Sequence, residues 1–236
     1  MNNIFKLYGL DHSGSHYLSF LMINNFPNVV MLHSQTGWNH GPIVKTLDWN
    51  GTNWNLDRHE HPNEKKHIKD LKREPLNSGK TVDFYKKEIE DLYKTRKLPL
   101  LCLVKSPWNW LMSFNIKHSK KYKKIEDSCK KWNDINENYF SNEWENKIMI
   151  KYETLRDDTL VTLNRVGSHF NFPKLESFID TDGDLAKGGQ FKKVDYTKEQ
   201  CISAHVTHFK KDKEEICEIF DKFITKKVLD NYNKLI

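Results

Sequence analysis

The sequence predicts an α/β fold with three layers, α/β/α, around a central, mostly parallel sheet. Short apolar runs alternate along the chain with segments of helical periodicity, which is the pattern of that fold class. The run LPLLCLV, at Leu98–Val104, is continuously apolar, as a strand buried on both faces of a parallel sheet is. No internal repeat or linker divides the 236 residues, so we predict a single domain over residues 1–236.

The first elements are predicted to form a β-α-β unit. NIFKLYG, at Asn3–Gly9, is a short apolar run that ends in glycine, and Asn28–Ser34 is a second strand. Between them, Ser15–Phe26 has the density of apolar residues of a largely buried helix. Such a connection is expected to be right-handed, with parallel strands. The segment Gly37–Gly79 that follows has no clear periodicity, and we interpret it as an irregular insertion.

Strands and helices alternate in the same way in the rest of the chain. A further strand is predicted at Lys147–Tyr152 and a loop at Gly183–Lys193. Proline is favourable at the first position of a helix, because its missing N–H would have no partner there, and Pro107 starts one predicted helix. The predicted helices of this part are Val82–Lys97, Pro107–Ser119, Ile125–Phe140, Thr159–Phe170 and Lys213–Leu235.

The composition argues against several classes of protein. The net charge of +6 indicates either a solvated, lysine-rich surface or attraction to polyanions, and charge alone favours the first. The four cysteines form no CxxC pair, which argues against structural zinc and favours a reduced, cytoplasmic protein. No apolar run reaches the roughly 18 residues of a membrane span, and the N-terminus lacks a secretory pattern. We therefore expect neither a membrane span nor a signal peptide.

The stretch YGLDHSGSHYL, at Tyr8–Leu18, has the pattern of a phosphate-binding loop. A strand, a tight loop and a helix start bring backbone N–H groups and the positive end of the helix dipole together. Gly14 allows close approach of an anion, and Ser13 and Ser15 carry hydroxyl donors. The ending GSH, however, replaces the Gly-Lys-Ser/Thr of a P-loop. The stretch therefore predicts either an anion site or an ordinary turn in which Ser13 caps the helix.

A second basic segment follows the central strand. Lys105 lies just past the predicted carboxyl end of that strand, and Ser113 is eight residues further on. Ligands of open α/β sheets bind at the carboxyl ends of strands, so this lysine and hydroxyl could hold a second phosphate. The alternative is a solvated lysine at a strand end.

These two segments together resemble the sulfotransferases that use 3'-phosphoadenosine 5'-phosphosulfate (PAPS), both cytosolic-type enzymes and their bacterial and carbohydrate-acting relatives. In that family a loop of the form Pro-Lys/Arg-Ser-Gly-Thr-Thr-Trp cradles the 5'-phosphosulfate, and DHSGSHY at Asp11–Tyr17 is similar to it. An Arg and a Ser eight residues later hold the 3'-phosphate, and KSPWNWLMS at Lys105–Ser113 is similar to that pattern, with Pro107 in place.

Two further blocks follow in the family's order. KYETLRDD resembles the family's Tyr-Glu-Asp-Leu, whose tyrosine lies near the adenine, through Tyr152 and Glu153. LAKGGQFKK resembles in part the Arg-Lys-Gly loop that closes over the 3'-phosphate. The resemblance thus implies a P-loop-like core whose nucleotide-binding residues are His12, Ser13, Gly14, Ser15, His16, Tyr17, Lys105, Ser113, Tyr152, Lys187 and Gly188.

The implied reaction moves a sulfonate group from PAPS to a hydroxyl or amine of a small-molecule or carbohydrate acceptor and leaves 3'-phosphoadenosine 5'-phosphate (PAP). The Gly37–Gly79 insertion would then lie on the acceptor side. The family's base is often the histidine of Lys-Thr-His-x-Pro, and GWNHGP places His40 two residues before Pro42. His40 is therefore the first candidate for the catalytic base and His33 the second, with an ordinary loop histidine as the alternative.

The chain departs from the family pattern at three positions. His12 stands where the family has a lysine that stabilises the transferring sulfonate, so it is a catalytic candidate whose charge depends on pH. Lys105 replaces an arginine and loses the bidentate fork, and Lys187 stands alone where the family has Arg-Lys. We expect no metal site, since the HEH stretch lacks the spacing of a helical zinc site.

Two other functions remain open from the sequence. A P-loop-type nucleotide kinase is disfavoured, because no lysine follows Gly14 and no clear magnesium-binding carboxylate motif is present. A catalytically degenerate protein that binds a nucleotide or nucleic acid through its basic surface is the other possibility. No nucleic-acid-binding motif supports it, so no nucleic-acid partner is expected. The sequence predicts neither the acceptor nor the oligomeric state.

Overall fold

The computed structural model describes residues 3–27, 29–32, 39–44, 47, 82–116, 124–173, 178 and 194–235. The predicted site residues Lys187 and Gly188, and most of the Gly37–Gly79 segment, lie outside these ranges. The described residues contain one sheet of four parallel strands in the order β2-β1-β3-β4. The strands are β1 Asn3–Gly9, β2 Val29–Leu32, β3 Leu100–Val104 and β4 Lys147–Lys151. The α/β class and the parallel sheet are confirmed.

Helices connect and cover these strands. They are α1 Ser15–Asn25, α2 Val82–Lys94, α3 Pro107–Leu111, a π-helix Met112–Ile116, α4 Ile125–Ser141, α5 Tyr152–Asp157, α6 Thr159–Phe170, α7 Lys198–Phe209, α8 Lys213–Phe223 and α9 Lys226–Asn233. Within the described ranges, none of them is long and apolar enough to cross a membrane.

Three predicted elements differ from the structure. The helix predicted at Pro107–Ser119 changes from α to π winding at Met112. Tyr152, predicted to end a strand, begins α5. The single helix predicted at Lys213–Leu235 is wrong, because Ile224 is extended and separates α8 from α9. The Asn133 side-chain oxygen holds this break, since it accepts hydrogen bonds from both the backbone N–H and the hydroxyl of Thr225, at 3.0 and 2.8 Å.

Both faces of the sheet are covered. Phe5 and Leu7 of β1 belong to a buried cluster with α1 and α6. Ile4 and Tyr8, on the opposite face, belong to a second cluster with α2, α4 and α9. A third cluster contains no strand residue and joins α3, the π-helix, α4, α7 and α8 around Trp110. Alternate residues of β1 therefore face opposite cores, as the pleat of a doubly covered strand requires.

The strand order places a topological switch point between the ends of β1 and β3, and we call the region outside their carboxyl ends the crevice. After β1 the chain turns into α1 on one face of the sheet, and after β3 it passes through α3 to α4, which packs on the other face. The two connections diverge where the winding direction reverses, and ligands of open α/β sheets bind outside the carboxyl ends of the strands at such a point. The loop Leu10–Gly14, which contains the predicted binding residues His12, Ser13 and Gly14, follows β1 directly at this edge, and the predicted Lys105 follows β3.

A buried polar network ties the π-helix to its neighbours. His205 of α7 is fully buried, donates from Nδ1 to the Cys201 carbonyl at 2.7 Å and accepts at Nε2 from the Asn115 amide at 3.1 Å. The Ser128 hydroxyl of α4 donates to the Asn115 side-chain oxygen at 2.7 Å. Burial lowers the pKa of His205 to about 4, so the folded protein holds this imidazole neutral at neutral pH.

We predict that the lowered pKa of His205 makes the folded protein less stable as the pH decreases. Because the folded pKa of about 4 is below the ordinary 6.5, the unfolded chain binds a proton that the folded chain does not bind between these values. The free energy of unfolding should decrease from pH 6.5 towards pH 4 by up to about 3 kcal/mol. In urea unfolding across this range, His205→Gln should flatten the slope. The matched control is His208→Gln, an exposed histidine of the same helix, which should change the slope much less than His205→Gln does, since its charge has only a minor effect on His205. An unchanged slope in His205→Gln would contradict the prediction.

Candidate functional site

The loop between β1 and α1 is closed by glycine and tyrosine. Gly14 is the N-cap residue of α1 with φ 94°, a conformation that favours glycine. A Cβ at Gly14 would lie 2.5 Å from Cε2 of Tyr152, so the tyrosine ring packs directly on the loop backbone. The Ser13 N–H donates to the Leu10 carbonyl at 3.0 Å and closes the turn. Tyr152, predicted to lie near a nucleotide, thus forms one wall of the loop.

Ser13 does not cap the helix. Gly14 holds the N-cap position, no side chain in the described part of the chain caps α1, and its first turn has no acidic residue. The Ser13 hydroxyl is buried and has no hydrogen-bond partner among the residues that the structure describes. It lies against Gly9, where a Cβ would come within 2.9 Å of Ser13 Oγ. The alternative in which Ser13 caps the helix of an ordinary turn is therefore wrong. The first turn of α1 also places no acidic side chain at the positive end of the helix dipole.

Lys105 brings the predicted site segments together. Its Nζ donates to Ser113 Oγ at 3.1 Å and to the His12 carbonyl at 3.3 Å. The same Nζ lies 4.7 Å from the centroid of the Tyr152 ring, within cation–π range. One ammonium group thus joins the loop after β1, the π-helix and the residue after β4. The sequence named these residues from separate blocks, and the structure places them in contact.

The π-helix and two tryptophans hold this arrangement. π-helical turns often occur at functional sites, and here Met112–Ile116 carries Ser113 to Lys105. The Trp132 indole N–H donates to the Lys105 carbonyl at 3.0 Å, and the Trp110 indole N–H donates to the Asp11 carbonyl at 2.7 Å. The loop after β1 and the residue after β3, which flank the crevice, are therefore both held by hydrogen bonds to their main-chain carbonyls. Sequence reasoning missed this role, because nothing in the spacing links either indole to those carbonyls.

A buried carboxylate fixes the starts of the elements around the crevice. Glu153 accepts the Ser106 N–H at 3.1 Å, the Asn109 side-chain amide at 2.7 Å and the Tyr232 hydroxyl at 2.8 Å. Ser106 follows Lys105, and Glu153 follows Tyr152. The separation of the lysine and the tyrosine ring is therefore set by hydrogen bonds one residue away.

His40 is positioned by the end of β1. Its Nδ1 donates to the Gly9 carbonyl at 2.6 Å, so Nε2 is the nitrogen that can accept a proton. Nε2 lies 3.5 Å from the Asn39 amide nitrogen and 3.4 Å from Asp11 Oδ1. Burial lowers the pKa of His40, while the hydrogen bond to Gly9 and the charge of Asp11 oppose that shift. The imidazole is thus a neutral base at neutral pH. His33, the second candidate, lies outside the described residues.

The backbone and the ring of His12 make contacts with two different residues. Its carbonyl accepts the Lys105 hydrogen bond, and its φ of 62° is in the left-handed region. Its ring lies 5.8 Å from the Phe114 ring, and the side chain is exposed. His12 therefore borders the crevice, but its backbone makes the contact with Lys105.

The remaining loop residues lie on the first turn of α1. Ser15 is buried, and His16 is exposed. The Tyr17 hydroxyl shares a hydrogen bond of 3.1 Å with the Thr159 hydroxyl, which joins α1 to α6.

Comparisons with models of known families, with curated proteins and with solved structures gave no match to this chain.

We predict that Gly14→Ala destabilises the protein through two separable effects. The left-handed φ should cost about 1 kcal/mol and the contact with the Tyr152 ring about 2 kcal/mol more. In a Tyr152→Ala background only the first cost should remain, because the ring is gone. Urea unfolding of both single variants and the double variant measures the coupling. Equal costs of Gly14→Ala in the two backgrounds would contradict the close contact.

Proposed function

We propose that the protein is a sulfotransferase that moves a sulfonate group from PAPS to a hydroxyl or amine of a small-molecule or carbohydrate acceptor. The observation that carries the proposal is the convergence on Lys105 of the Gly14 loop, Ser113 and Tyr152, which three separate sequence blocks predicted. The convergence lies at the crevice between β1 and β3, where α/β sheets bind ligands.

Two observations support a phosphorylated ligand. Lys105 and Ser113 place an ammonium group and a hydroxyl 3.1 Å apart, so one phosphate could accept hydrogen bonds from both. The start of α1 combines a glycine at φ 94° with the buried Ser13 hydroxyl and has no side-chain cap in the described part of the chain. In the proposal the first pair binds the 3'-phosphate and the loop binds the 5' end. The Tyr152 ring partly compensates for the missing arginine fork, because it holds the lysine by a cation–π contact.

The proposed chemistry needs a base and a cationic environment. PAPS supplies a sulfonate that is already activated by its phosphate leaving group. The acceptor oxygen or nitrogen attacks the sulfur, the bond between the sulfur and the 5'-phosphate oxygen breaks, and PAP leaves. His40 Nε2 takes the proton of the acceptor in this step. The N-terminal dipole of α1 and, when it is protonated, His12 stabilise the negative charge on the transferring group. The protein is thus proposed to work without a metal ion.

We predict that PAP stabilises the protein and that Lys105 is required for this effect. Charged hydrogen bonds to a phosphate are strong, so Lys105→Ala should weaken binding roughly 100-fold and abolish the thermal shift. Ser113→Ala should weaken binding roughly tenfold. Lys130→Ala, which removes an exposed lysine of α4, is the matched control and should bind as the wild type does. Calorimetry and thermal shift provide the measurements.

The same measurements are made with PAP, with ATP and magnesium, and with nucleic acid, and three outcomes would contradict the proposal. The first is the absence of any stabilisation by millimolar PAP. The second is stabilisation by ATP with magnesium in preference to PAP, which would favour a nucleotide kinase. The third is steeply salt-dependent binding of nucleic acid that Lys105→Ala leaves unchanged, which would favour a non-enzymatic binding protein.

We predict that His40→Ala removes turnover but keeps nucleotide binding. Loss of the base should reduce sulfonate transfer roughly 10²–10⁴-fold, because the acceptor proton then has no positioned group to receive it. The measurement is transfer of radiolabelled sulfonate from PAPS to a panel of phenol, sugar and amine acceptors, together with PAP affinity. His208→Ala, on the exposed face of α7, is the control. A weaker PAP affinity with unchanged turnover of bound enzyme would contradict the role of His40.

A further inference from the structure

Asp11 joins His40 to a lysine that no sequence motif indicated. Its Oδ1 lies 3.4 Å from His40 Nε2, and its Oδ2 lies 3.2 Å from Lys131 Nζ. The three side chains are 18%, 14% and 16% exposed, in the order Asp11, His40 and Lys131. Charges this enclosed are screened less by salt than those on the surface. The three groups come from the loop after β1, the segment 39–44 and α4.

The direction of the His40 hydrogen bonds decides what Asp11 does. Because Nδ1–H is given to the Gly9 carbonyl, the neutral ring has no hydrogen on the nitrogen that faces Asp11. A proton taken up at Nε2 would place the positive charge of the imidazolium beside the carboxylate, whose Oδ1 is 3.4 Å from that nitrogen. Asp11 therefore stabilises the imidazolium more than the imidazole, and the positive charge of Lys131 opposes it.

Both partners of His40 are held in place. The Trp110 indole N–H binds the Asp11 carbonyl at 2.7 Å. Lys131 Nζ lies 5.4 Å from the centroid of the Phe114 ring. Among the residues that the structure describes, the charged groups that act on His40 are Asp11 from the loop, His16 from α1 and Lys131 from α4. Asp11 raises the pKa of His40, and the other two, like burial, lower it. The pair is therefore a fixed part of the surroundings of this histidine.

We propose that Asp11 and Lys131 are positioning residues that set the protonation of His40. Asp11 stabilises the imidazolium that forms when Nε2 takes the acceptor's proton. Lys131 limits this stabilisation, so that Nε2 returns the proton to water and is neutral for the next turnover. In the balanced step, the acceptor O–H or N–H bond breaks and the Nε2–H bond forms. The catalytic meaning of the pair rests on the proposed function, whereas its electrostatic effect on His40 does not.

The test follows the titration of His40 itself. In NMR spectra of ¹⁵N-labelled protein, the His40 ring signals are assigned by their absence in His40→Gln, and their pH midpoint is measured. Asp11→Asn should lower the midpoint, and Lys131→Met should raise it by a smaller amount, because Lys131 has the weaker effect on His40. Lys131→Arg keeps the positive charge, so the pH midpoint of His40 should be the same as in the wild type. Lys130→Met, which removes an exposed lysine one residue away, should leave the midpoint unchanged.

The outcomes separate this inference from the proposed function. If both midpoints shift as expected while no variant transfers sulfonate, the coupling stands and the proposed function fails. If the protein transfers sulfonate but neither midpoint moves, the coupling is wrong and the proposed function stands. With both correct, the acid limb of kcat/KM should shift in the same direction as the midpoint in each variant. Should Asp11→Asn fail to fold, Lys131→Met and Lys131→Arg still decide the matter.

Discussion

The hydrogen-bonded carboxylate of Glu153 is the constraint on which the candidate site depends. A buried carboxylate is costly unless donors replace the water that it has lost, and here three donors do so, two from the start of α3 and one from α9. Any shift of α3, α5 or α9 against the others would leave part of that charge without a donor. The neighbouring residues Lys105 and Tyr152 consequently have a fixed separation before any ligand arrives, and preorganisation of this kind reduces the cost of binding.

The crevice is also anchored from the core. Trp110 and Trp132 are fully buried in the third hydrophobic cluster, yet each sends its indole N–H to a main-chain carbonyl at the mouth of the crevice. Each large apolar ring packs in the core, and its single polar atom fixes the orientation of the ring through a directional hydrogen bond. The position of the loop after β1 relative to the residue after β3 thus depends on helix packing remote from the sheet.

Sequence reasoning predicts the elements whose signals are local. The β1-α1-β2 unit, the central strand and Thr159–Phe170 follow from apolar periodicity, and the helix Thr159–Phe170 has the predicted bounds. Helix α7 was missed because its apolar residues do not form a stripe, although a capping box formed by Thr197 and Gln200 marks its start. The π-helix has no sequence pattern by which it could be predicted.

The site was predictable in its parts but not in its contacts. Parallel topology brings the residues after β1, β3 and β4 to one edge, so Lys105 could be named from its place after the central strand, whereas Tyr152 was named through the family resemblance. Lys131 could not be named, because it meets Asp11 across 120 positions of sequence through the packing of α4. Lys187 and Gly188 stay predictions.

The hydrogen bond from Lys105 to the loop has a consequence for substitutions at residue 12. It ends on the carbonyl of residue 12, and every amino acid supplies that group. This hydrogen bond therefore does not depend on which side chain residue 12 carries, although the left-handed φ of 62° there disfavours β-branched residues. A change of side chain at residue 12 can thus alter the chemistry beside the loop while Lys105 keeps its contact with the backbone.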